Sequence, residues 1–104
     1  MEFINRIELC GVVGRTNTTA VGHTTVCNFS LVTENPYQGN DGGIIIDTMW
    51  FSVYASGLPG LEAVQKGSHV HVAGRLRSRR FADAEGNERV LYEVVAQTLK
   101  LVDE

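Results

Sequence analysis

The sequence predicts an all-β fold, a five-stranded Greek-key barrel with one short helix between the third and fourth strands. Five stretches alternate apolar and polar residues with the period of two that is typical of strands. The one stretch that reads as a helix, residues 58–65, lies between the third and fourth of them and is bounded by glycines. Gly11 and Gly14 stand in the first strand, where a long strand can bend and curl a sheet into a barrel.

Length and composition indicate one soluble domain that spans residues 1–104. A chain of 104 residues can bury about 65% of its unfolded surface and fold on a single core without a metal or cofactor. No apolar run approaches the roughly 20 residues of a membrane span. The N-terminus has acidic residues among its apolar ones and does not resemble a secretory signal. We therefore expect a cytoplasmic protein that is not bound to a membrane.

Charge and cysteine content narrow the function classes. The net charge of −3 argues mildly against a nucleic-acid binder, but four of the nine basic residues lie between positions 75 and 80, so a local positive patch is expected. Cys10 and Cys27 lack ligand spacing and are interpreted as reduced thiols. The three histidines show no ligand spacing, and no nucleophile and base pair is identifiable. The sequence therefore predicts no metal site and no enzyme, and it gives no sign of a small-molecule substrate.

The first half of the chain predicts two strands with polar connections. Residues 3–13 form the first strand and residues 25–33 the second, with residues 15–24 as the polar connection between them. Residues 34–43 contain Pro36 and three glycines and are predicted to be a mobile hairpin connection. Tyr37 is its large side chain. The ring of Tyr37 either folds back over the barrel or lies on a movable arm that can reach a base.

The third strand, residues 45–56, carries two aromatic side chains on its polar face. Trp50 and Tyr54 alternate with serine and threonine, whereas the opposite face is already apolar. A tryptophan is usually buried in a core. Because the other face already supplies the core residues, parity predicts that Trp50 projects outward.

The fourth strand, which begins near Ser68, has a row of cations. Arg75, Arg77 and Arg79 share one face with Phe81, and the polar residues 82–88, including Gly86, follow as a hairpin turn. Such a row can simply be a solvated edge. Phosphate-seeking cations beside an exposed ring are also the components of a groove for a single nucleic-acid strand.

The fifth strand, residues 89–96, carries apolar groups on both faces, which suits a strand covered by the core and by a second copy of the chain. Residues 98–104 are predicted to be a tail. Five strands with a short helix after the third is the order of the OB-fold barrel.

The chain resembles the bacterial single-stranded DNA-binding protein family over nearly its whole length. The resemblance is carried by short segments in family order, at residues 5–7, 11–15, 28–31, 48–50, 66–68, 72–76 and 93–96. It implies an OB-fold, a homotetramer or homodimer, and sequence-tolerant binding of single-stranded DNA without catalysis. The acidic C-terminal tail typical of the family does not follow Glu104, so the sequence is interpreted as a short form.

Individual residues correspond unevenly to the family pattern. Trp50 matches its stacking tryptophan, Phe81 the aromatic residue after the arginine-rich strand, Tyr37 an aromatic residue after the second strand, and Arg6 a basic position in the first strand. The family's further aromatic residue is absent at Ser56, and we expect Tyr54 to take its place. The predicted binding set is therefore Trp50, Tyr54, Phe81, Tyr37, Arg75, Arg77, Arg79 and Arg6.

Two other functions fit the same pattern. One is a tail-less OB-fold replication restart adaptor, which binds single strands weakly and a partner protein tightly. The other is a structural oligomer whose arginines pair with Glu85, Glu88 or Glu93 of another subunit, which requires a buried Trp50. For the favoured function, the expected partners are single-stranded DNA and replication, recombination or repair proteins.

Overall fold

The computed structural model describes residues 1–102, which form a closed five-stranded barrel with the strand order β1-β2-β3-β5-β4. The strands are β1 (Ile7–Val21), β2 (Thr24–Gln38), β3 (Ile44–Ser56), β4 (His69–Ala82) and β5 (Glu88–Leu101). Adjacent strands pair antiparallel except β3 and β5, which close the barrel in parallel at Val53 with Val94 and Tyr54 with Val95. The predicted OB-fold barrel is confirmed.

The core takes one face of every strand. Its fully buried members include Val13, Leu31, Val53, Val72 and Val94, one from each strand. Burial of an aliphatic side chain contributes about 1.5–3 kcal/mol. Because side chains alternate along a strand, fixing this face inward fixes the other face outward. No helix within residues 1–102 is long and apolar enough to cross a membrane.

The first hairpin is longer than predicted, and the prediction of a polar connection at residues 15–24 is wrong. β1 continues to Val21, and only Gly22 and His23 separate it from β2. The threonines of this segment resemble a loop in composition but are β-branched and suit a strand. The hydroxyl groups of Thr16 and Thr18 lie 3.3 and 3.4 Å from the Cys27 sulfur. The inward polar groups therefore have a partner, and the ladder continues.

The β2–β3 hairpin replaces the mobile connection predicted at residues 34–43. β2 extends to Gln38 and pairs with β3 without a register shift. The turn is closed because the Gly39 amide donates to the Gly43 carbonyl at 2.8 Å and the Gly43 amide donates to Asp41 Oδ1 at 2.9 Å. Continuous pairing therefore overrides the loop-like composition, and Tyr37 lies in a strand.

Two further predicted boundaries also shift. The helix expected at residues 58–65 is a single 3₁₀ turn (Leu61–Ala63), because Pro59 and the left-handed Gly60 (φ 83°) leave too few residues for an α-helix. Leu61 is nonetheless fully buried in the core. β5 continues past Ala96, and Thr98 to Leu101 pair with β4. The last two residues of the predicted tail, 103 and 104, lie outside the described residues.

At the start of the chain, β1 begins at Ile7 and not at Phe3. Asn5 nevertheless joins the sheet through its side chain. Its Oδ1 accepts from the Leu76 amide at 2.9 Å, and its Nδ2 donates to the Leu76 carbonyl at 2.6 Å. An amide side chain thus extends the β1–β4 ladder by one pair of bonds and holds the segment before β1 against β4.

Candidate nucleic-acid interface

One outer face of the barrel carries the predicted aromatic and basic residues of β3 and β4. Tyr54 of β3 pairs with Val95 of β5, and Val95 pairs with Arg75 of β4. Directly paired residues share a face of a sheet. Trp50 has the parity of Tyr54, and Arg77 and Arg79 have the parity of Arg75. The sheet therefore places Trp50, Tyr54 and the three arginines on the same side, which we call the outer face.

Trp50 is exposed over 56% of its surface and rests on a glycine. A Cβ atom at Gly14 would lie 2.5 Å from Trp50 Cζ3 and 2.8 Å from Cη2, so the indole occupies the space that a side chain would fill. Beside it, Ser30 Oγ accepts a 2.9 Å hydrogen bond from the Arg15 amide. Gly14 of β1 therefore supports one side of the ring, and the rest is open to a ligand.

A cleft next to Trp50 brings in two basic residues that sequence analysis missed. The cleft encloses about 430 Å³ and is lined by Gly14, Arg15, Ser30, Trp50 and Lys66. Neither Arg15 nor Lys66 forms an ion pair with a carboxylate among residues 1–102. Alternation along one strand could not find them, because they come from different elements. The available signal for Arg15 was its position directly after Gly14, where the first strand was expected to bend, and Lys66 had no such signal.

The three arginines of the row differ in their partners. Arg77 donates from Nε to Glu93 Oε1 at 2.9 Å, and its Nη2 lies 2.8 Å from the same oxygen. Arg79 Nε is 3.5 Å from that oxygen. Arg75 is exposed and forms no ion pair with another residue among 1–102. The row is therefore partly neutralised at its centre and open at Arg75.

Tyr54 is less accessible than parity suggested. Its side chain is only partly exposed, and the guanidinium carbon of Arg77 lies 4.7 Å from the ring centroid. That distance is within the range of a cation–π interaction. The Tyr54 ring is therefore on the outer face but covered by Arg77.

Phe81 is 46% exposed and lies near the end of β4, beside a turn organised by one carboxylate. Asp83 accepts from the amides of Glu85 and Asn87 at 3.0 and 2.9 Å and from Arg89 Nε at 2.9 Å. The bond from Arg89, followed by that from the Asn87 amide, lowers the pKa of Asp83 below its usual 3.8. This network defines the end of the β4–β5 hairpin that presents Phe81.

The remaining two predicted residues lie apart from the Trp50 cleft. Arg6 is exposed directly before β1, in a hollow that it lines together with Arg77 and Tyr92. Tyr37 is 53% exposed and pairs with Ile45, whereas Trp50 pairs with Val32. Because 37 and 32 differ in parity on β2, Tyr37 lies on the opposite face of the β2–β3 ribbon from Trp50.

Both cysteines are free thiols, and one histidine is paired with a carboxylate. Cys10 is exposed, Cys27 is buried, and both are free thiols. His71 Nε2 lies 2.8 Å from Glu8 Oε2. Within residues 1–102 no three His, Cys, Asp or Glu side chains are grouped so that they could hold a metal ion.

The barrel and its outer face together define an OB-fold protein of the kind that can hold a single nucleic-acid strand. Comparison with protein families makes this specific: the model of the single-strand binding protein family matches residues 4–102. The chain belongs to the single-strand binding protein family.

Curated relatives agree with this membership. The single-stranded DNA-binding protein of Neisseria meningitidis serogroup A is 28% identical over 105 residues, which are 95% of this chain and 60% of the relative. Single-stranded DNA-binding protein 1 of Xylella fastidiosa is 30% identical over 98% of this chain and 79% of its own length. The chain thus spans about 60% of the Neisseria relatives.

Solved structures share the fold. A Plasmodium falciparum SSB in complex with ssDNA superimposes with a TM-score of 0.83 at 22% identity, covering 99% of this chain and 98% of that one. A deletion mutant of the single-stranded DNA binding protein from Thermus aquaticus gives a TM-score of 0.79 at 18% identity, over 96% of this chain and 51% of that one. These likenesses support the OB-fold assignment.

Proposed function

We propose that this chain is a non-enzymatic, cytoplasmic protein that binds and protects single-stranded DNA without sequence preference in replication, recombination or repair. Residues 1–104 would act as one binding domain within a homotetramer or homodimer. The observation that carries the proposal is the exposed indole of Trp50 on the same outer face as the arginine row. Membership of the single-strand binding protein family supports it.

Bases would stack on the exposed aromatic rings of the outer face and of the β4–β5 hairpin. Trp50 and Phe81 are about half exposed and supply two such surfaces. Stacking contributes roughly 1–3 kcal/mol per base and tolerates every base, since each has a flat face. Tyr54 is covered by Arg77, so a base would stack on it only after Arg77 had moved. Tyr37 would require the strand to pass around the edge of the β2–β3 ribbon.

Phosphates would be held by the cations beside these rings. Arg75, Arg79 and Arg6 supply exposed guanidinium groups, and Arg15 and Lys66 add two charges next to Trp50. Each phosphate contact to a single strand makes the slope of log affinity against log salt concentration more negative by about 0.7. This local concentration of cations allows an acidic protein to bind a polyanion.

The structural-oligomer alternative is disfavoured by two observations. It requires a buried Trp50, which is instead more than half exposed. It also assigns the arginines to glutamates of another subunit, whereas Arg77, Arg79 and Arg80 pair with glutamates of their own chain.

The test is a titration of the fluorescence of Trp50, the lone tryptophan, with oligothymidine at 50 and 200 mM salt. We expect strong quenching at low salt, weaker affinity at high salt, and little response to a duplex of the same length, because paired bases hide their faces. An unchanged emission from the folded protein would remove Trp50 from the site. Micromolar or weaker affinity together with tight binding of a helicase or primase would instead support the restart adaptor.

The Phe81→Ala variant tests the second stacking surface. We expect a loss of about 1–3 kcal/mol in binding free energy with an unchanged thermal unfolding midpoint. The matched control is Val90→Ala, on the other face of the same hairpin, because Val90 pairs with Arg80 and not with Phe81. Equal affinities of the two variants would withdraw Phe81 from the site.

A further inference from the structure

The carboxylate of Glu93 lies in the middle of the outer face, where a polyanion is expected to bind. We propose that Glu93 competes with the phosphates of the DNA backbone for two arginines. It withholds Arg77 fully and Arg79 partly from phosphate, and it thereby lowers the affinity for the strand. This inference rests on the proposed function. It adds a residue that sets the affinity for single-stranded DNA and the salt dependence of that affinity.

The geometry gives one carboxylate oxygen three guanidinium contacts. Glu93 Oε1 lies 2.9 Å from Arg77 Nε, 2.8 Å from Arg77 Nη2 and 3.5 Å from Arg79 Nε. Two charge-assisted contacts to one guanidinium are stronger than a single contact and fix its orientation. The longer contact to Arg79 is correspondingly weaker.

Burial decides which anion Arg77 retains. The Glu93 side chain is only 4% exposed, whereas those of Arg77 and Arg79 are 35% and 58% exposed. If a phosphate removed Arg77, a nearly buried carboxylate would lose its main partner, which is much more costly than the loss of an exposed ion pair. A strand phosphate at the surface is screened by water and salt and cannot compensate for this. Arg77 therefore stays with Glu93, and Arg79 is shared between Glu93 and a phosphate.

The same pair also controls a stacking surface. Arg77 lies over the Tyr54 ring at 4.7 Å, so the carboxylate that holds Arg77 keeps this ring covered. Arg75, with no ion-pair partner among residues 1–102, has no such restraint. Within the outer face, Trp50 and Arg75 are therefore open at separate positions, whereas Tyr54, Arg77 and Glu93 form a closed part.

The experiment compares the salt dependence of oligothymidine binding by the wild type, Glu93→Gln and Glu93→Met between 50 and 200 mM salt. Methionine fills a similar volume without charge, so Glu93→Met provides a second variant if Glu93→Gln does not fold. Unfolding curves check that both variants are folded. We expect the slope to steepen by about 0.7–1.4, since one or two contacts are added. Each added contact raises the affinity ratio between the two salts by about 2.6-fold, which is 4 to the power 0.7.

Two further variants separate this effect from simple charge removal. Glu85→Gln removes one negative charge from the turn of the same hairpin and should leave the slope at the wild-type value. Adding Arg77→Gln to Glu93→Met should abolish part of the gain, because the freed guanidinium is then missing.

The outcomes distinguish the inference from the proposed function. If the wild type binds oligothymidine and a folded Glu93 variant has an unchanged slope, or binds more weakly, the competitor role is wrong and the proposed function stands. If the wild type and all variants fail to bind, both are wrong. If Glu85→Gln steepens the slope equally, the effect is general electrostatics and the specific role of Glu93 is overturned.

Discussion

Gly14 supports the outer face by having no side chain. The indole of Trp50 comes within 2.5 Å of the position that a Cβ atom of residue 14 would take, and the alternation of β3 alone could not show this contact. Parity was sufficient to predict that Trp50 points outward, because the opposite face of its strand supplies the core residues Val53 and Ala55. The support beneath the ring comes from a different strand and is a tertiary feature.

The Gly14→Ala variant should therefore displace the indole. The added Cβ would lie 2.5 Å from Cζ3, closer than atoms can approach, and the ring must move to avoid it. We expect a shifted tryptophan emission maximum and a loss of about 1–3 kcal/mol in oligothymidine binding, the contribution of one stacked base. Gly43→Ala, in the β2–β3 turn, is the matched control. Identical emission spectra in the two variants would contradict the role of Gly14.

Arg77 illustrates what residue identity cannot supply. The sequence placed it in a row of three equivalent arginines, but pairing of β4 with β5 sets it opposite Glu93. Its charge is thereby neutralised and its plane is held over Tyr54. The same residue type two positions earlier, Arg75, keeps its charge exposed, so the three arginines are equivalent in sequence and different in structure.

The hairpins are the elements in which local composition misled the predictions. Threonine-rich residues 15–21 and the segment around Pro36 resemble loops, yet both extend strands. Each gains a continuous backbone ladder with a neighbouring strand, and paired backbone groups outweigh weak local preferences. The turn at residues 82–88 was predictable, since Gly86 adopts a left-handed conformation (φ 82°) that disfavours other residues.

The β4–β5 turn should loosen in acid through Asp83. Its pKa is lowered in the folded hairpin, chiefly by the bond from Arg89. Stability from this bond is therefore fully present above the usual pKa of 3.8 and is lost as the pH falls through the lower folded value. We expect the amide protons of Glu85 and Asn87 to lose hydrogen-exchange protection in that range.

Asp83→Asn provides the control for this titration. It keeps an oxygen that can accept from both amides but removes the charge that pairs with Arg89. Its hairpin should be less protected near neutral pH and should show no acid transition of its own. Superimposable pH profiles of the two proteins, measured at the same amides by NMR, would rule out control by Asp83.

At the scale of the whole molecule, the core and the outer face use different residues and should be separable. Leu61 is fully buried although it belongs to a 3₁₀ turn of only three residues. Leu61→Ala should lower the free energy of unfolding by about 2–5 kcal/mol, the usual cost of such a cavity.

Binding should be unaffected by this loss as long as the barrel remains folded. Urea unfolding measures the first effect and oligothymidine titration the second, with exposed Glu62→Ala as the neighbouring control. Reduced affinity in the folded Leu61→Ala protein would show that core and face are coupled.

The sequence by itself determined the number and order of the strands, which of their faces point inward, and the outward position of Trp50 and the arginine row. It could do so because alternation is a local property of a strand. Only the tertiary structure decided that Arg15 and Lys66 join Trp50, that Tyr37 lies on the other face of its ribbon, and that Glu93 neutralises Arg77. These features arise where separate elements of the chain meet, and they depend on register and closure of the barrel, which no single strand contains.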